Sequence, residues 1–422
     1  MADPAPPFGF HRDALGRACL GGAPLSELLA ASGLETPAYV YDLDAIQDAT
    51  SRLVSALGPG NLVAYAVKAN SAGSVVRAVA EAGAGADLVS GGELQVALAC
   101  GITPERIVMS GVAKSDAELD RAISLGLCAI QVESVEELPR VSARAAALGA
   151  VGRVSLRINP GVEIDSHAHI ATGHDEAKFG ILEQDLPAAL EILRREASLS
   201  LVGVSTHVGS MLREPEPYLE SARVVCQVAL HCRASGHPLE FVDFGGGFGI
   251  DYGGEPADAP EVFARAALGL LAEWGLADLR LVVEPGRALV GPYGVLLTRA
   301  IQTKRSGGRH TLMIDAGMND LIRPALYAAK HRVEPCDALP GALPFRVVGP
   351  VCESSDDFGE HPLGDAPSGL FVVRDAGAYG FTMASEYNGR ALPGEISVRA
   401  GRVVKAAPSP GVAAWVTRRL EA

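Results

Sequence analysis

A single lysine lies near the end of the apolar run "LVAYAVKAN" at residues 62–70, where a buried strand is expected to finish. The amine of this residue, Lys68, is suited to form a Schiff base, because desolvation at the mouth of a domain favours the neutral, nucleophilic form. A lone lysine at a strand end more often extends its charged head into solvent. Lys68 is therefore a candidate nucleophile whose role depends on its neighbours.

A run of glycines follows another apolar segment, in "FGGGFGID" at residues 244–251. Three consecutive glycines, Gly245, Gly246 and Gly247, let backbone N–H groups approach an anion such as a phosphate closely. The alternative is a tight turn with close helix packing. The third glycine of a G-x-G-x-x-G pattern is missing, so the dinucleotide fingerprint is absent and the phosphate of a smaller cofactor remains.

The segment "VEPGR" at residues 283–287 places a carboxylate and a guanidinium at the end of one apolar run. Glu284 is suited to pair with a pyridinium nitrogen, which would keep such a ring a good electron acceptor. Arg287 is suited to bind a substrate carboxylate through two hydrogen bonds. The alternative for this pair is an ion pair on the surface.

The segment "STHVGS" at residues 205–210 ends a further run with two polar side chains. A lone histidine is usually structural. In the company of Lys68 and Glu284, His207 is a candidate for stacking on an aromatic cofactor ring, and Ser210 is a candidate for contacting the cofactor.

These candidates all follow runs of apolar and β-branched residues, which alternate with helical patterns such as "LPAALEILRREA". Alternation of strand and helix predicts a parallel sheet, and eight such units fit a closed (β/α)8 TIM barrel, with an open doubly wound sheet as the alternative. In such a barrel the polar residues at the carboxyl ends of the strands face the active site. The runs are 62–70, 86–90, 106–111, 129–134, 153–160, 201–210, 241–247 and 280–286. Their ends carry Lys68, Ser90, Glu133, Asn159, His207, Ser210, Gly245, Gly246, Gly247, Glu284 and Arg287.

The sequence pattern changes after about residue 296, where short apolar runs are separated by turns rather than by helical segments. This pattern predicts a C-terminal antiparallel β-barrel or sandwich domain. The early run "AYVYDLD" at residues 38–44 precedes the barrel and is expected to pair with that domain. The predicted domains are therefore a barrel at residues 45–296 and a discontinuous β domain made of residues 1–44 and 297–422.

Composition excludes several classes of function. The 422-residue chain has a formal charge of −14 and 48% apolar residues, which disfavours a nucleic-acid partner and permits a large core. We expect no membrane span and no signal peptide, since no apolar run is long enough, and a cytoplasmic location, since the seven cysteines form no C-x-x-C pair. We also expect no metal site, although His167, His169 and His174 cluster in "DSHAHIATGH".

The order of motifs resembles a known family. Along the chain stand "YAVKAN", "GADLVSGGEL", "KFGI", "THVGS", "GGGFGI", "EPGR", "MNDLIRPALY", "GPVCESSD" and "GAYG". Together they resemble the pyridoxal 5'-phosphate (PLP)-dependent decarboxylases with an alanine-racemase-like barrel, and among these most closely the diaminopimelate decarboxylases. The resemblance implies that the chain decarboxylates meso-2,6-diaminopimelate to L-lysine, the last step of bacterial lysine biosynthesis.

The resemblance also implies a role for each matching residue. Lys68 would form the Schiff base with PLP, His207 would lie against the ring, and Cys352 would protonate the carbanion, which makes these three the catalytic set. The cofactor would be held by Lys68, His207, Ser210, Gly245, Gly246, Gly247, Glu284, Pro285, Gly286, Arg287 and Tyr379. The substrate would be bound by Arg287, Arg323, Tyr327, Glu353 and Tyr379.

Family likeness further implies a homodimer with shared active sites, because the "CESSD" loop of the family enters the site of the neighbouring subunit. Two alternatives remain open. One is an ornithine-, lysine- or carboxynorspermidine-type decarboxylase on the same scaffold, which would not need Arg323 and Tyr327 to bind a distal carboxylate. The other is a non-catalytic PLP carrier, although known carriers of this type consist of the barrel alone.

Overall fold

The computed structural model describes residues 9–161, 179–365 and 367–422. It divides into two compact units. The barrel unit consists of Ala49–Ile250 and Pro256–Ala288, and the β unit consists of Met1–Asp48, Asp251–Glu255 and Leu289–Ala422. Among the described residues, no helix combines the length and the apolar character that crossing a bilayer requires.

Eight parallel strands close into a barrel, which confirms the predicted architecture. Each expected apolar run contributes one strand, and the eighth strand pairs with the first through Val282 and Leu62. The strands read as continuous apolar runs because they are buried on both faces. In chain order they are Leu62–Ala66, Gly85–Leu88, Ile107–Met109, Ala129–Val132, Gly152–Arg157, Leu199–Ser205, Phe241–Gly246 and Arg280–Glu284.

Helices alternate with these strands. Their starts are encoded locally: Ser115 accepts a hydrogen bond from the Glu118 backbone N–H, and the Glu118 carboxylate accepts from the Ser115 N–H in return, which forms a capping box. The helices are Leu43–Leu57, Gly73–Glu81, Gly91–Ala99, Asp116–Leu125, Glu137–Ala147, Leu186–Arg195, Pro215–Ala234, Pro260–Glu273 and Arg287–Val290.

The β unit is built on a large sheet that includes the N-terminal strand Ala38–Asp42, as the sequence predicts. The other strands of this sheet are Gly294–Ser306, Arg309–Ile314, Val333–Pro335, Pro344–Val348, Asp357–Pro362, Leu370–Val373, Gly394–Arg399 and Arg402–Ala407. Most neighbours are antiparallel, but two pairs are parallel: Ala38–Asp42 with Gly394–Arg399, and Arg309–Ile314 with Pro344–Val348. Parallel neighbours need a long connection instead of a hairpin, so the local turn pattern does not reveal them.

Shorter elements complete the β unit. A three-stranded sheet of Phe10–Arg12, Ala18–Leu20 and Ala23–Pro24 precedes the large one. The unit also contains the helices Leu25–Ser32, Arg323–Tyr327 and Gly411–Leu420. The first of these buries Leu25, Leu28 and Leu29 in the same apolar core as Val40 and Val295 of the large sheet.

Candidate active site

Lys68 lies just after the first barrel strand, in the 3-10 turn Val67–Ala69. Its Nζ donates a hydrogen bond to Oδ2 of Asp87 at 2.8 Å, with the lysine side chain 35% exposed and the aspartate fully buried. Ser110, after the third strand, donates to the other oxygen of Asp87. The amine is thus held by a neighbouring strand while part of it remains accessible. Asp87 falls within the quoted "GADLVS" motif, but sequence reasoning did not single it out.

Glu284 ends the eighth strand. The side-chain amide of Gln131, on the fourth strand, connects it to Asp243 on the seventh. Nε2 of Gln131 donates to Oε1 of Glu284 at 2.8 Å and to Oδ2 of Asp243 at 3.0 Å. All three side chains are at least 95% buried. Two carboxylates therefore share one amide donor inside the barrel, a contact that only barrel closure creates.

Burial and mutual repulsion raise the pKa of both acids. Burial is the largest cause of the rise in the pKa of Asp243 to about 6. The pKa of Glu284 is well above its usual range, because of burial first and then the nearby Asp243 and Asp87 carboxylates, while the Lys68 cation opposes the rise. The pair therefore retains protons that separate carboxylates would have released.

These shifts predict the pH dependence of stability. The folded cofactor-free protein holds protons that the unfolded chain releases, so the pair makes the free energy of unfolding fall as pH rises from the ordinary aspartate pKa of 3.8 to about 6. Asp243→Asn removes one acid and relieves Glu284. We expect the variant to lose less stability than wild type between pH 4 and 7.5, by on the order of 3 kcal/mol, since one pKa unit corresponds to about 1.4 kcal/mol.

Urea denaturation of the cofactor-free protein at both pH values measures this difference. The control is Asp258→Asn, which changes an exposed aspartate of the same unit. If the free energy of unfolding changed equally with pH in wild type and in Asp243→Asn, the raised pKa values of this pair would be contradicted.

His207 is a neutral ring beside Glu284. Its Nδ1 accepts the Gly246 backbone N–H at 3.4 Å and lies 4.0 Å from Oε2 of Glu284. Burial, with the Arg157 and Lys68 cations adding to it, lowers the pKa of His207 well below its usual range. A neutral imidazole of this kind presents a flat face for stacking without adding positive charge.

The glycine run requires glycine because other backbone lies against it. A Cβ on Gly245 would stand 2.5 Å from the carbonyl oxygen of Thr206, and one on Gly246 would stand 2.0 Å from that of Glu284. Gly245 and Gly247 also adopt the left-handed conformations φ +70° and +89°. The loop can therefore bring its backbone close to an anion, as the sequence predicts for a phosphate.

Arg287 follows Glu284, Pro285 and Gly286, and it begins the short helix Arg287–Val290. Its side chain is 93% buried, and Nη2 donates to Oγ of Ser210 at 3.0 Å. The structure thus places Ser210, three residues after His207, and Arg287, three residues after Glu284, together in the barrel unit.

Three other residues at strand ends have structural partners. Ser90 caps the helix Gly91–Ala99 by accepting the Glu93 backbone N–H. Asn159 accepts the Gly161 backbone N–H at 3.1 Å. Glu133 accepts a hydrogen bond from Arg157 at 2.7 Å, and this arginine also lies over the ring of Phe179.

In the β unit, Arg323 and Tyr327 occupy the first and last positions of the helix Arg323–Tyr327. Arg323 is 96% buried, and its guanidinium carbon lies 4.6 Å from the centre of the Tyr252 ring. Residues four apart in a helix lie one turn apart, so a guanidinium and a phenol are presented together.

Cys352 lies in an exposed loop of the β unit that a buried aspartate anchors. Asp356, 96% buried, accepts the backbone N–H of Met318 and that of Val351, each at 2.7 Å. The Cys352 N–H donates to Oδ1 of Asn388 at 2.8 Å. The thiol is therefore on a well-defined loop that faces solvent in a single chain.

Glu353 follows Cys352 and is also exposed. Its Oε1 accepts the phenol proton of Tyr387 at 2.6 Å, and this hydrogen bond raises the pKa of Tyr387. The loop anchor Asp356 lies in the quoted "GPVCESSD" motif but was not singled out, and Tyr387 lies outside the quoted motifs.

Tyr379 has a left-handed backbone with φ +55°. For a residue with a bulky side chain this conformation is strained, and such strain concentrates at functional sites. The glycines that flank it in "GAYG" have no room for a side chain, since a Cβ on Gly377 would stand 2.0 Å from the carbonyl oxygen of Val290.

No group of three histidine, cysteine, aspartate or glutamate side chains with metal-site spacing occurs within residues 9–161, 179–365 and 367–422. His167, His169 and His174 lie outside the described residues.

Comparison with known proteins defines the class. Residues 43–291 match the family model described as "Pyridoxal-dependent decarboxylase, pyridoxal binding domain". The chain is 38% identical to a diaminopimelate decarboxylase of Zymomonas mobilis, over 91% of this chain and 92% of that protein. The chain has the pyridoxal-binding domain of a PLP-dependent decarboxylase.

Solved structures narrow the class further. The Helicobacter pylori diaminopimelate decarboxylase complexed with L-lysine is 37% identical, with a TM-score of 0.87 over 94% of this chain and 99% of that one. The diaminopimelate decarboxylase from M. jannaschii in complex with L-lysine has a TM-score of 0.89 at 31% identity, over 97% of each chain. The chain belongs to the diaminopimelate decarboxylase family.

Proposed function

We propose that this protein converts meso-2,6-diaminopimelate into L-lysine and carbon dioxide with PLP, as the last step of bacterial lysine biosynthesis. The observation that carries the proposal is the placement of Lys68, His207 and Glu284 at the carboxyl ends of barrel strands in a chain of this family. The lysine complexes of two structural relatives support the choice of product.

The barrel unit fits PLP by the chemistry of its side chains and by its glycine loop. Lys68 would bind the aldehyde carbon, His207 would cover one face of the ring, and Glu284 would hold the proton of the pyridine nitrogen. Gly245 to Gly247 with Pro285 and Gly286 would receive the phosphate, and Ser210 and Arg287 would complete the set from the barrel unit. Tyr379 is the residue of the β unit proposed to contact PLP. When bound, PLP supplies an electron sink for the electron pair that the departing carboxylate leaves behind.

The residues of the chain would supply the remaining steps. Lys68 would hold the cofactor before the substrate binds and again after the product leaves. The Sγ–H of Cys352 donates a proton to the carbon that has lost carbon dioxide, which completes the exchange of a carboxylate for a hydrogen. Excluding water from this carbon would keep that proton transfer under the control of one residue.

Recognition of the distal end follows from its charges. The end of diaminopimelate that does not react carries a carboxylate and an ammonium group. Arg323, Arg287 and Tyr327 would bind the carboxylate, and Glu353 would bind the ammonium. An amino acid without the distal carboxylate could not form this ion pair with Arg323, which disfavours ornithine and arginine as substrates.

Measuring carbon dioxide and product from diaminopimelate, ornithine, lysine and arginine, each with added PLP, tests this assignment. We expect lysine from diaminopimelate and no release from the other three. Release from ornithine, lysine or arginine instead would transfer the assignment to the ornithine- or lysine-type alternative. PLP bound at Lys68 without release from any substrate would favour the carrier.

The proposal includes a cytoplasmic homodimer with shared active sites. The exposed Cys352 and Glu353 of one protomer would enter the site of its partner, which would explain why both face solvent in a single chain. None of the seven cysteines, each within the described residues, forms a disulfide, which supports a reducing compartment.

Shared sites predict complementation between two inactive variants. In a mixed dimer, Lys68→Ala and Cys352→Ala place both lesions in the same site, so the other site of the two would be intact. After equimolar mixing and subunit exchange, we expect about a quarter of wild-type activity, since about half of the dimers are mixed. Activity that stays at the level of the separate variants, with exchange verified by mass spectrometry, would contradict shared sites.

A further inference from the structure

One buried histidine contacts the arginine that the proposed function assigns to the distal carboxylate. Nε2 of His331 lies 2.5 Å from Nη1 of Arg323, and His331 is 98% buried. Its other ring nitrogen, Nδ1, lies 2.8 Å from the backbone carbonyl oxygen of Arg374. The ring thus joins the guanidinium to the backbone that follows the strand Leu370–Val373.

These contacts determine the protonation of the ring. A guanidinium has only donors, so Nε2 of His331 must accept the Arg323 N–H. A carbonyl oxygen has only lone pairs, so Nδ1 must carry the proton and donate it. His331 is therefore a neutral imidazole in one tautomer, oriented with its acceptor toward Arg323.

Further contacts hold this orientation from other sides. The rings of His331 and Tyr252 pack at a steep angle with centroids 5.1 Å apart, and the Tyr252 ring also lies under the Arg323 guanidinium. The next residue, Arg332, donates to Oδ2 of the buried Asp375 at 2.6 Å, and its carbonyl oxygen accepts the Arg374 N–H. The imidazole has little freedom to turn away from the guanidinium.

We propose that His331 is a positioning residue for substrate specificity, which holds Arg323 in the orientation that binds the distal carboxylate. The hydrogen bond occupies one guanidinium nitrogen through a neutral partner, so His331 orients Arg323 without itself neutralising the positive charge. A carboxylate in place of His331 would instead neutralise Arg323 and compete with the substrate. This inference rests on the proposed function, because it deepens the role of Arg323 there.

Two substitutions separate the acceptor from the rest of the ring. His331→Gln places an amide oxygen near the Nε2 position and retains the acceptor for Arg323. His331→Asn retains a donor near the Nδ1 position but does not reach Arg323. The control is His231→Asn, which changes an exposed histidine on the barrel helix Pro215–Ala234.

Two ligands isolate the carboxylate. L-Lysine retains the carboxylate of the distal end, whereas 1,5-diaminopentane is the same molecule without it. Calorimetric titration of each into the PLP-loaded variants gives the contribution of the carboxylate to affinity. We expect His331→Asn to weaken lysine binding by about ten- to a hundredfold, the size of one lost hydrogen bond to a charged group, and to leave diaminopentane unchanged.

We also expect His331→Gln and His231→Asn to bind lysine within about threefold of wild type. Equal weakening of both ligands, failure of His331→Gln to restore lysine binding, or unchanged lysine binding in His331→Asn would each overturn the inference. Decarboxylation of diaminopimelate by the unaltered protein tests the proposed function separately. An unaltered protein that does not decarboxylate diaminopimelate would contradict the proposed function. Unexpected lysine affinities of the His331 variants would contradict only the positioning role.

Discussion

Lys68→Ala is expected to reduce turnover of diaminopimelate by a factor on the order of 10⁴ or more, because no other group replaces the amine that bonds to the cofactor. Release of product requires the same amine, so the loss should appear in kcat rather than in the affinity for substrate. Stopped-flow assays of carbon dioxide release measure the rate. The absorbance of the Schiff base, absent in the resting variant, measures the bond directly.

The control for this substitution must preserve the charge beside Asp87. Removing Lys68 leaves a buried carboxylate without its cation, and that loss can lower stability independently of the chemistry. Lys68→Arg retains a cation next to Asp87 but forms no Schiff base, so we expect it to fold well and to remain inactive. Lys304→Ala, on an exposed strand, should have wild-type activity. Turnover near the wild-type rate in Lys68→Ala or Lys68→Arg would overturn the assignment.

Cys352→Ala is expected to slow the reaction by about 10²- to 10⁴-fold, the usual contribution of one general acid. PLP binding should change little, because the thiol belongs to an exposed loop whose conformation depends on Asp356 and Asn388 rather than on sulfur. Single-turnover kinetics in deuterium oxide would identify protonation of carbon as the slow step. Equilibrium dialysis would measure the retained affinity for PLP.

Two further variants distinguish a loss of the acid from a loss of the loop. Cys352→Ser preserves the size of the side chain but supplies a much weaker acid, so its rate should be close to that of Cys352→Ala. Asp356→Asn weakens the hydrogen bonds that hold the Cys352 loop, so it should lower the stability of the protein as well as the reaction rate. A normal rate in Cys352→Ala would remove this residue from the mechanism, and equal losses of rate and PLP affinity would indicate a structural role.

The sequence by itself determined the barrel and most of the candidate site. Parallel strands buried on both faces produce continuous apolar runs, so all eight strands were readable in order. The carboxyl ends of these strands lie at one end of the barrel, so Lys68, His207 and Glu284 could be grouped before any coordinate was known. The glycine loop was equally readable, because close approach of backbone permits no other residue there.

Only the tertiary structure decided which groups hold these side chains. Asp87, Gln131 and Asp243 are polar residues inside buried strands, and nothing in the local pattern indicates their partners. Gln131 meets Glu284 because closing the barrel brings inward-pointing side chains of the fourth and eighth strands within hydrogen-bond distance. The raised pKa of Glu284 has the same origin, since burial and charge proximity depend on three-dimensional separation and not on spacing along the chain.

The same dependence on three-dimensional contacts explains why the sequence predicted Arg323 but not the role of His331. The family motif predicted Arg323, but the neutral tautomer of the histidine beside it follows from two distances that the sequence does not encode locally. Residue types and their order specify what chemistry is available, whereas hydrogen-bond partners, protonation and orientation arise from contacts between distant segments. The sequence therefore determined the fold and the candidate reacting groups, and the tertiary structure decided the protonation and orientation of those groups.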